Sequence, residues 1–459
     1  LFKHYVPHAV LLLGIVDFAM LLIAAEAGWV LRVWQLGSAV DSIANRVPQL
    51  LSFAAALQCA MVAVGVYGAE SLHSLKFAAA RLLVAVSLGV ILISVMFFLF
   101  PELTLWRSNS LYAMLLAIAL LILVRALFGR LLGSEVFKRR VLVLGAGARA
   151  ERLRVLSEGE ATRFVVVGYV AMNDGPHRIS EAVDRNDIES LGDHVIALRA
   201  NEVVLALDER RNAVPLGDLL RVKTTGVHVN EISTFLERET GRVDLDSVNP
   251  SWLIFSDGFS AGRRLSSIAK RMFDLAASAL LLLLTAPVIA ITALLVKLES
   301  EGPAFFRQRR VGLYGQSFDI LKLRSMRNDA EAAGQAVWAE KDDPRITRIG
   351  RFIRKVRIDE LPQVWTVLRG QMSFVGPRPE RPQFVTDLEG HLPYYAERHM
   401  VKPGITGWAQ INYPYGASLE DARHKLEYDL YYAKNYTPFL DILILLQTVR
   451  VLLWPEGAR

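Results

Sequence analysis

FDLAASALLLLLTAPVIAITALLVK, residues 273–297, is the stretch on which the architecture turns. It is long enough to cross a bilayer, whose hydrocarbon core takes about 20 apolar residues of helix. Pro287 sits near its centre, where a missing N–H removes one intrahelical bond and kinks the axis. Lys270 and Arg271 precede the stretch and Lys297 closes it. If it crosses, everything after it lies on the far side of the membrane. If it turns at Pro287, both flanks share one face. Cationic flanks favour the return, because both then meet the same anionic lipid surface.

Upstream, four further apolar stretches lie near residues 9–31, 48–68, 80–100 and 110–132, each close to a spanning length. Asp17 and Glu26 interrupt the first, and are expected to face the bundle interior or the interface rather than line a transport path. His73, Lys76 and Arg81 lie between the second and third stretches, and Lys138, Arg139 and Arg140 follow the fourth. The positive-inside tendency makes these regions cytoplasmic. The first stretch is too long for the apolar core of a signal peptide and has no convincing cleavage site.

Composition agrees with a membrane protein of several domains. The chain has 459 residues, 53% of them hydrophobic, a formal net charge of +6, a mean hydropathy of +0.30 and a pI near 9.3. With such apolar spans, the basic surplus points to anionic head groups and phosphorylated substrates rather than nucleic acid. The single cysteine, Cys59, excludes an intrachain disulfide or a cysteine-built metal site. Its place in an apolar run predicts a buried small hydrophobe.

Residues 139–255 read differently. RRVLVLGAGARAERL, residues 139–153, is a buried-strand pattern, a glycine turn and a helical pattern; RFVVVGYV and NEVVLAL are further strands. The region is an α/β unit with a parallel sheet. Gly145 and Gly147 open a G-x-G turn, but Ala150 holds the third position and Asp174 is only a loose match for a ribose-binding acid. A scaffolding or dimerising domain with an unused phosphate loop is the preferred reading.

Downstream of 297, EGPAFFRQRRVGLYGQSFDILKLRSMR (301–327) combines glycines, Phe305 and Phe306 with Arg307, Arg309, Arg310, Lys322, Arg324 and Arg327. This suits a membrane-surface site for an amphiphile with a phosphate head. In RITRIGRFIRKVRIDELPQ (345–363) arginines recur every third residue up to the pair Asp359–Glu360. Steps of three rotate a helical series backward by about 60° each, so the ladder wraps the helix. Some arginines then face head groups and others the site, and Arg354, Lys355 and Arg357 lie nearest the acids. Asp359 could simply cap the following helix. A cap needs no arginines around it, whereas phosphoryl transfer needs an acidic metal ligand, a nucleophile and charge stabilisation. In MSFVGPRPERP (372–382) prolines flank Arg378 and stiffen its backbone for bidentate phosphate binding. Trp408 and Gln410, in the pinned loop VKPGITGWAQIN, are available for stacking or hydrogen bonding. KLEYDLYYAKNY (425–436) is expected to be the amphipathic face of a membrane-lying helix, and PFLDILILLQTVRVLLWP (438–455) either an interfacial helix or part of the core.

The blocks KRMFD, GPAFFRQRRVG, LKLRSM, DPRITRIGRFIRK, IDELPQVW, MSFVGPRPERP, VKPGITGWAQIN and KLEYDLYYAKN occur in this order between Lys270 and Arg450. Together they resemble the catalytic domain of the bacterial polyprenyl-phosphate glycosyl-1-phosphate transferases, the large monotopic phosphoglycosyl transferases. The resemblance implies a membrane protein of three parts. These are an N-terminal four-helix transmembrane bundle (1–135), a Rossmann-like α/β domain (139–255) with a regulatory or dimerising role, and an α-rich catalytic domain (265–459) whose re-entrant helix at about 272–297 breaks at Pro287. It implies transfer of a sugar 1-phosphate from a UDP-sugar to undecaprenyl phosphate with release of UMP. That is the first membrane step of capsule, O-antigen or exopolysaccharide synthesis, on the cytoplasmic face of the inner membrane. Asp359 would be the nucleophile and Glu360 the ligand of Mg²⁺. Arg354, Arg357 and Arg378 would bind phosphoryl oxygens, with Lys322 and Arg324 as weaker candidates. Membrane lipids and a second copy of the chain are the expected partners, nucleic acid is not. Ile358 stands where leucine is common, and Ala286 precedes the proline where serine is expected. Two other classes compete: a membrane-tethered nucleotide-sugar dehydratase or epimerase, and a non-catalytic scaffold for polysaccharide assembly. The first needs a Tyr-x-x-x-Lys pair that the chain lacks; the second leaves the acid pair in its arginine setting unexplained.

Overall fold

The computed structural model describes residues 8–37, 42–67, 75–131, 138–159, 162, 164–172, 177–208, 214–248, 264–327, 345–414, 416 and 418–453. His73 and Asp174 lie outside them. The chain forms two compact units, Leu1–Val248 with Leu446–Trp454, and Asn249–Leu445 with Pro455–Arg459.

In the first unit, α1 (His8–Gln35), α2 (Val47–Val64), α3 (Leu75–Leu99) and α4 (Arg107–Leu131) are the apolar helices. Leu21, Phe53, Leu57, Leu82 and Leu121 build their common core. Ile15, Leu83, Ile91 and Phe98 point outward, as lipid-facing helices require. The two intramembrane acids face inward, each onto an arginine. Asp17 meets the Arg125 guanidinium in a two-pronged pair at 3.0 and 2.7 Å, and Glu26 meets Arg46 at 2.5 Å. Tyr67 donates to Asp17 as well, at 2.8 Å. Cys59 departs from expectation: it is exposed on α2, because a lipid-facing position is as apolar as a core position and hydropathy alone does not separate them.

The α/β part carries a five-stranded parallel sheet in the order β3–β2–β1–β4–β5, formed by β1 (Arg139–Leu144), β2 (Phe164–Ala171), β3 (Val183–Asp184), β4 (Glu202–Leu205) and β5 (His228–Glu231). Alternation along β1 feeds two cores. Val141 and Val143 pack with α5 (Ala148–Ser157) and α8 (Ile232–Thr240). Leu142 and Leu144 pack with α6 (Leu191–Ala197) and α7 (Leu216–Thr224).

Among the described residues of the second unit the first element is α9 (Arg264–Glu299), 36 residues that run as one helix through Pro287. At 1.5 Å per residue its path is about 54 Å. No residue from 279 to 291 is buried, whereas Asp274 and Ser278 on one arm, and Thr292 and Val296 on the other, are. Both arms grip the same body. Lys270 donates to the Val375 carbonyl and to Asp441, and Arg271 to the carbonyls of Val367 and Leu368. On the other arm, Val296 packs with Leu323 and Ile353.

The rest of the unit contains more strand than the sequence suggests. The glycine-punctuated basic stretch is an antiparallel hairpin of β6 (Phe305–Val311) and β7 (Ser317–Leu323), with Phe306 opposite Lys322. Then come α10 (Arg348–Lys355), α11 (Gln363–Leu368), β8 (Ser373–Val375), α12 (Pro382–His391), β9 (Gly404–Thr406), α13 (Trp408–Asn412), α14 (Leu419–Asn435) and α15 (Pro438–Leu453). The expectation of a membrane-lying helix at 425–436 is corrected. Leu426, Glu427, Asp429, Leu430, Tyr431 and Tyr432 on α14 are all buried, its charged members meeting partners inside. Of α15, Leu440, Asp441 and Ile444 complete the unit's core while Ile442 is exposed.

Candidate active site

The Asp359–Glu360 pair owes its position to one backbone event. α10 starts at Thr347, whose hydroxyl accepts the Gly350 N–H at 2.9 Å. Gly350 has no room for a side chain, since a Cβ would sit 1.9 Å from the Ser325 carbonyl oxygen. At the end of α10, Arg357 adopts a left-handed conformation (φ 60°), which a bulky residue holds only when its surroundings enforce it. The chain reverses into a 3₁₀ turn, Ile358–Glu360. This leaves the Arg357 side chain exposed and draws Asp359 in, to 9% exposure. The capping alternative falls away: α11 begins behind Pro362 with no side-chain cap, and Asp359 lies within the turn.

The two acids have opposite electrostatics. Glu360 Oε1 accepts from Lys322 Nζ at 3.1 Å and lies 3.7 Å from Arg357 Nη1. Burial opposes its ionisation, yet Lys322, Arg378 and Arg357 together hold its carboxyl below the usual range. Asp359 goes the other way. Burial and the neighbouring Glu360 charge push its carboxyl up, against the pull of Lys322, Arg354 and Arg357. Burial and the nearby Arg378 lower the Lys322 ammonium, against the opposing pull of Glu360. Asp359 Oδ1 is buried and has no hydrogen-bond partner among the described residues. Two adjacent carboxylates driven apart in this way are the arrangement in which different roles fall to the two groups. The clamped one is a fixed negative charge. The other has an oxygen with no hydrogen-bond donor among the described residues, as suits a nucleophile or an ion ligand.

Both flanks of this turn are tied to the apolar helix. Glu299, the last residue of α9, accepts the backbone N–H groups of Arg348 and Ile349 at 2.8 and 3.1 Å and so caps α10. At the other end, Arg271 holds the last carbonyls of α11 at 2.8 Å each. The segment carrying Asp359 is strung between the two arms of α9.

Arg378 sits on a loop fixed at three successive carbonyls. Arg398 donates to the Arg378 carbonyl at 3.0 Å, Arg310 to that of Pro379 at 3.1 Å, and the Val311 N–H to that of Glu380 at 2.9 Å. Arg398 is itself buried, paired with buried Asp429 at 2.6 Å and bonded to the Tyr395 hydroxyl at 2.9 Å. Behind the loop, β8 and β9 approach so closely that a Cβ on Gly376 would lie 2.2 Å from the Lys402 carbonyl oxygen. Those glycines serve backbone contact. Sequence reasoning missed Arg398 and Asp429, which are far from Arg378 in the chain; the pattern of α14 looked like the amphipathic face of a membrane-lying helix.

Of the residues singled out in the sequence, Asp359, Glu360, Lys322, Arg354, Arg357 and Arg378 gather electrostatically around the turn. Arg324 does not join them: it is buried and donates to the carbonyls of Val296, Ser300 and Glu301, closing the end of α9. The ladder does wrap, with Arg348, Arg351 and Lys355 exposed and Arg354 half-buried. Trp408 stacks on Tyr431 at 5.9 Å, and Gln410 donates to its own loop at Ile405, so both are engaged in holding the fold.

Glu360, beside Asp359, could give the one or two hard ligands that Mg²⁺ takes from protein when substrate phosphates complete its shell; no cluster of three or more ligating side chains occurs among the described residues.

A cation-lined acid pair at the foot of a long apolar helix has the parts that phosphoryl transfer would require. Residues 265–455 match the family described as Bacterial sugar transferase. Over 232 residues the chain is 44% identical to a UDP-N-acetylgalactosamine-undecaprenyl-phosphate N-acetylgalactosaminephosphotransferase of Aeromonas hydrophila, covering 50% of this chain and 53% of that one. It is 46% identical over 190 residues to an undecaprenyl-phosphate glucose phosphotransferase of Komagataeibacter xylinus, covering 40% and 35%. It is 45% identical over 196 residues to an uncharacterized sugar transferase, EpsL, of Bacillus subtilis, covering 42% and 91%. The chain belongs to the bacterial sugar transferase family. It matches about half the length of the first relative and about a third of the second.

Proposed function

We propose that this chain transfers a sugar 1-phosphate from a UDP-sugar to undecaprenyl phosphate, at the cytoplasmic face of the bacterial inner membrane, to begin assembly of a surface polysaccharide. The observation that carries the reading is the buried, unpartnered Oδ1 of Asp359 beside a cation-clamped Glu360. An Asp359 oxygen attacks the β-phosphorus of the donor. The bond from that phosphorus to the bridging oxygen breaks, and UMP leaves with the bond pair. A phosphate oxygen of the lipid then attacks the same phosphorus, the Asp359 carboxylate departs, and the undecaprenyl diphosphate sugar results. Arg354, Arg357 and Arg378 balance charge on the transferring phosphoryl group, and the pinned loop fixes where the Arg378 guanidinium can reach. Bound Mg²⁺, held by Glu360 and assisted by the donor diphosphate, would neutralise phosphate charge.

The same reading takes α9 as re-entrant. Both arms of α9 bond to one compact unit, and its middle, residues 279–291 around Pro287, is without buried residues, which is the part that would dip into the bilayer. Membrane lipids then surround the apex and meet the outward cations of α10. The three-part division at 1–135, 139–255 and 265–459, and a homodimer formed through the middle part, complete the proposal.

The test is incubation with a UDP-sugar, drawn from a panel of glucose, galactose and N-acetylated donors, in the absence of lipid. One equivalent of UMP per active site is expected, with label from the sugar phosphate retained on the protein. No burst, with turnover restored only when lipid phosphate is added, would replace the covalent route by direct attack of the lipid.

A further inference from the structure

The glycine turn of the sheet domain has no part in the chemistry above, and its surroundings say why. In a parallel sheet of order β3–β2–β1–β4–β5, the chain reverses direction of winding between β1 and β4, and phosphate-bearing ligands bind in the crevice beyond the carboxyl ends of those two strands, on the N-terminus of the first helix. Here that place is filled from within. Asp208, three residues beyond β4, accepts the backbone N–H of Ala148 at 2.8 Å with one carboxylate oxygen and that of Arg149 at 3.1 Å with the other. These are the first two amides of α5, the groups a pyrophosphate would use.

The neighbouring geometry follows from the carboxylate. A Cβ on Gly147 would sit 2.0 Å from the Asp208 carboxylate, and one on Gly145 2.4 Å from the Ala206 carbonyl oxygen, so the glycines admit the end of β4 and its acid instead of a nucleotide. Arg149 reinforces the contact by donating to the Leu207 carbonyl at 3.2 Å. From the other side the backbone of Arg178 and Ile179 covers the turn, both N–H groups reaching the Ala146 carbonyl, at 2.7 and 3.2 Å. Ile179 is buried there.

We propose that Asp208 stands where the phosphate of a nucleotide would bind, converting a phosphate loop into an internal latch between α5 and β4, so that this domain holds its own carboxylate and takes up no dinucleotide. The latch keeps a negative charge on the helix N-terminus without a diffusible ligand.

The experiment uses the full chain in lipid nanodiscs. The wild type is titrated with NADH, read by fluorescence, and the wild type, Asp208→Ala and Asp208→Asn are compared by hydrogen exchange over residues 145–150, in inorganic phosphate and in sodium chloride of equal ionic strength. A flat NADH titration is expected for the wild type. Exchange over 145–150 should rise at least tenfold in Asp208→Ala, and phosphate but not chloride should restore protection there; Asp208→Asn should lie between. The comparison is local, so phosphate binding elsewhere does not enter. Saturable NADH binding by the wild type overturns the proposal, as does protection in Asp208→Ala that equals the wild type or fails to respond to phosphate. None of these readings involves sugar transfer.

Discussion

At the scale of single residues, the proposed nucleophile Asp359 sits where its charge is disfavoured. Its carboxyl titrates above the ordinary aspartate range because burial and Glu360 disfavour the charge. The sign follows from linkage: between the unfolded and folded values the native state binds the extra proton, so stability falls as pH rises through that window and stays lower at neutral pH. Asp359→Asn should therefore lower turnover by on the order of 10³-fold or more while melting at or above the wild-type temperature. Steady-state assay and calorimetry on one preparation check both; near-normal turnover would remove Asp359 from the chemistry. The same shift predicts a pH profile. In the proposed route only the ionised carboxylate attacks, so the acidic limb of kcat/KM should lie above that of a free aspartate. Lys322→Ala removes a charge that holds the limb down, and should move it further up. A limb that stays in place in the variant would show that another group sets it.

At the scale of elements, the loop around Arg378 depends on a charge pair carried by two distant segments. Arg398→Ala leaves Asp429 buried without its cation, which costs about 3–5 kcal/mol. Arg398→Leu with Asp429→Leu should cost much less, since no uncompensated charge remains. Denaturant unfolding of Arg398→Leu, Asp429→Leu and the double gives the coupling. Activity should nevertheless fall in the double variant, because the Arg378 carbonyl loses its donor. Equal activity in the double variant and the wild type would show that the loop holds Arg378 without help. Hydrophobic periodicity gave α1 to α4, the parallel sheet and α9. It misread α14, where buried acids and tyrosines at helical spacing imitate an amphipathic surface. It also passed over the β6–β7 hairpin, whose arginines mask a period-two strand.

At the scale of the whole molecule, the proposal places Lys355, on the exposed side of α10, and the exposed Arg140, in β1 after α4, on the same side of the membrane. In a Cys59→Ser background, single cysteines at these two positions should both react with an impermeant maleimide in inside-out vesicles and in neither case in intact spheroplasts. Opposite labelling of the two would mean that α9 spans. The segment that carries the acid pair is tied to both arms of that helix, which is why the proposal takes it as re-entrant.

The chain by itself determined the long apolar stretches, a glycine-turn sheet domain and an acid pair among arginines, because hydropathy, periodicity and charge are local properties of sequence. Only tertiary structure decided which charge meets which. It gave Lys322 to Glu360, left an Asp359 oxygen bare, turned Arg324 away to the end of α9, and set Asp208 into the phosphate loop. Each of those outcomes depends on segments far apart in sequence arriving within hydrogen-bond reach, and a pairing of that kind leaves no periodic trace in the order of residues.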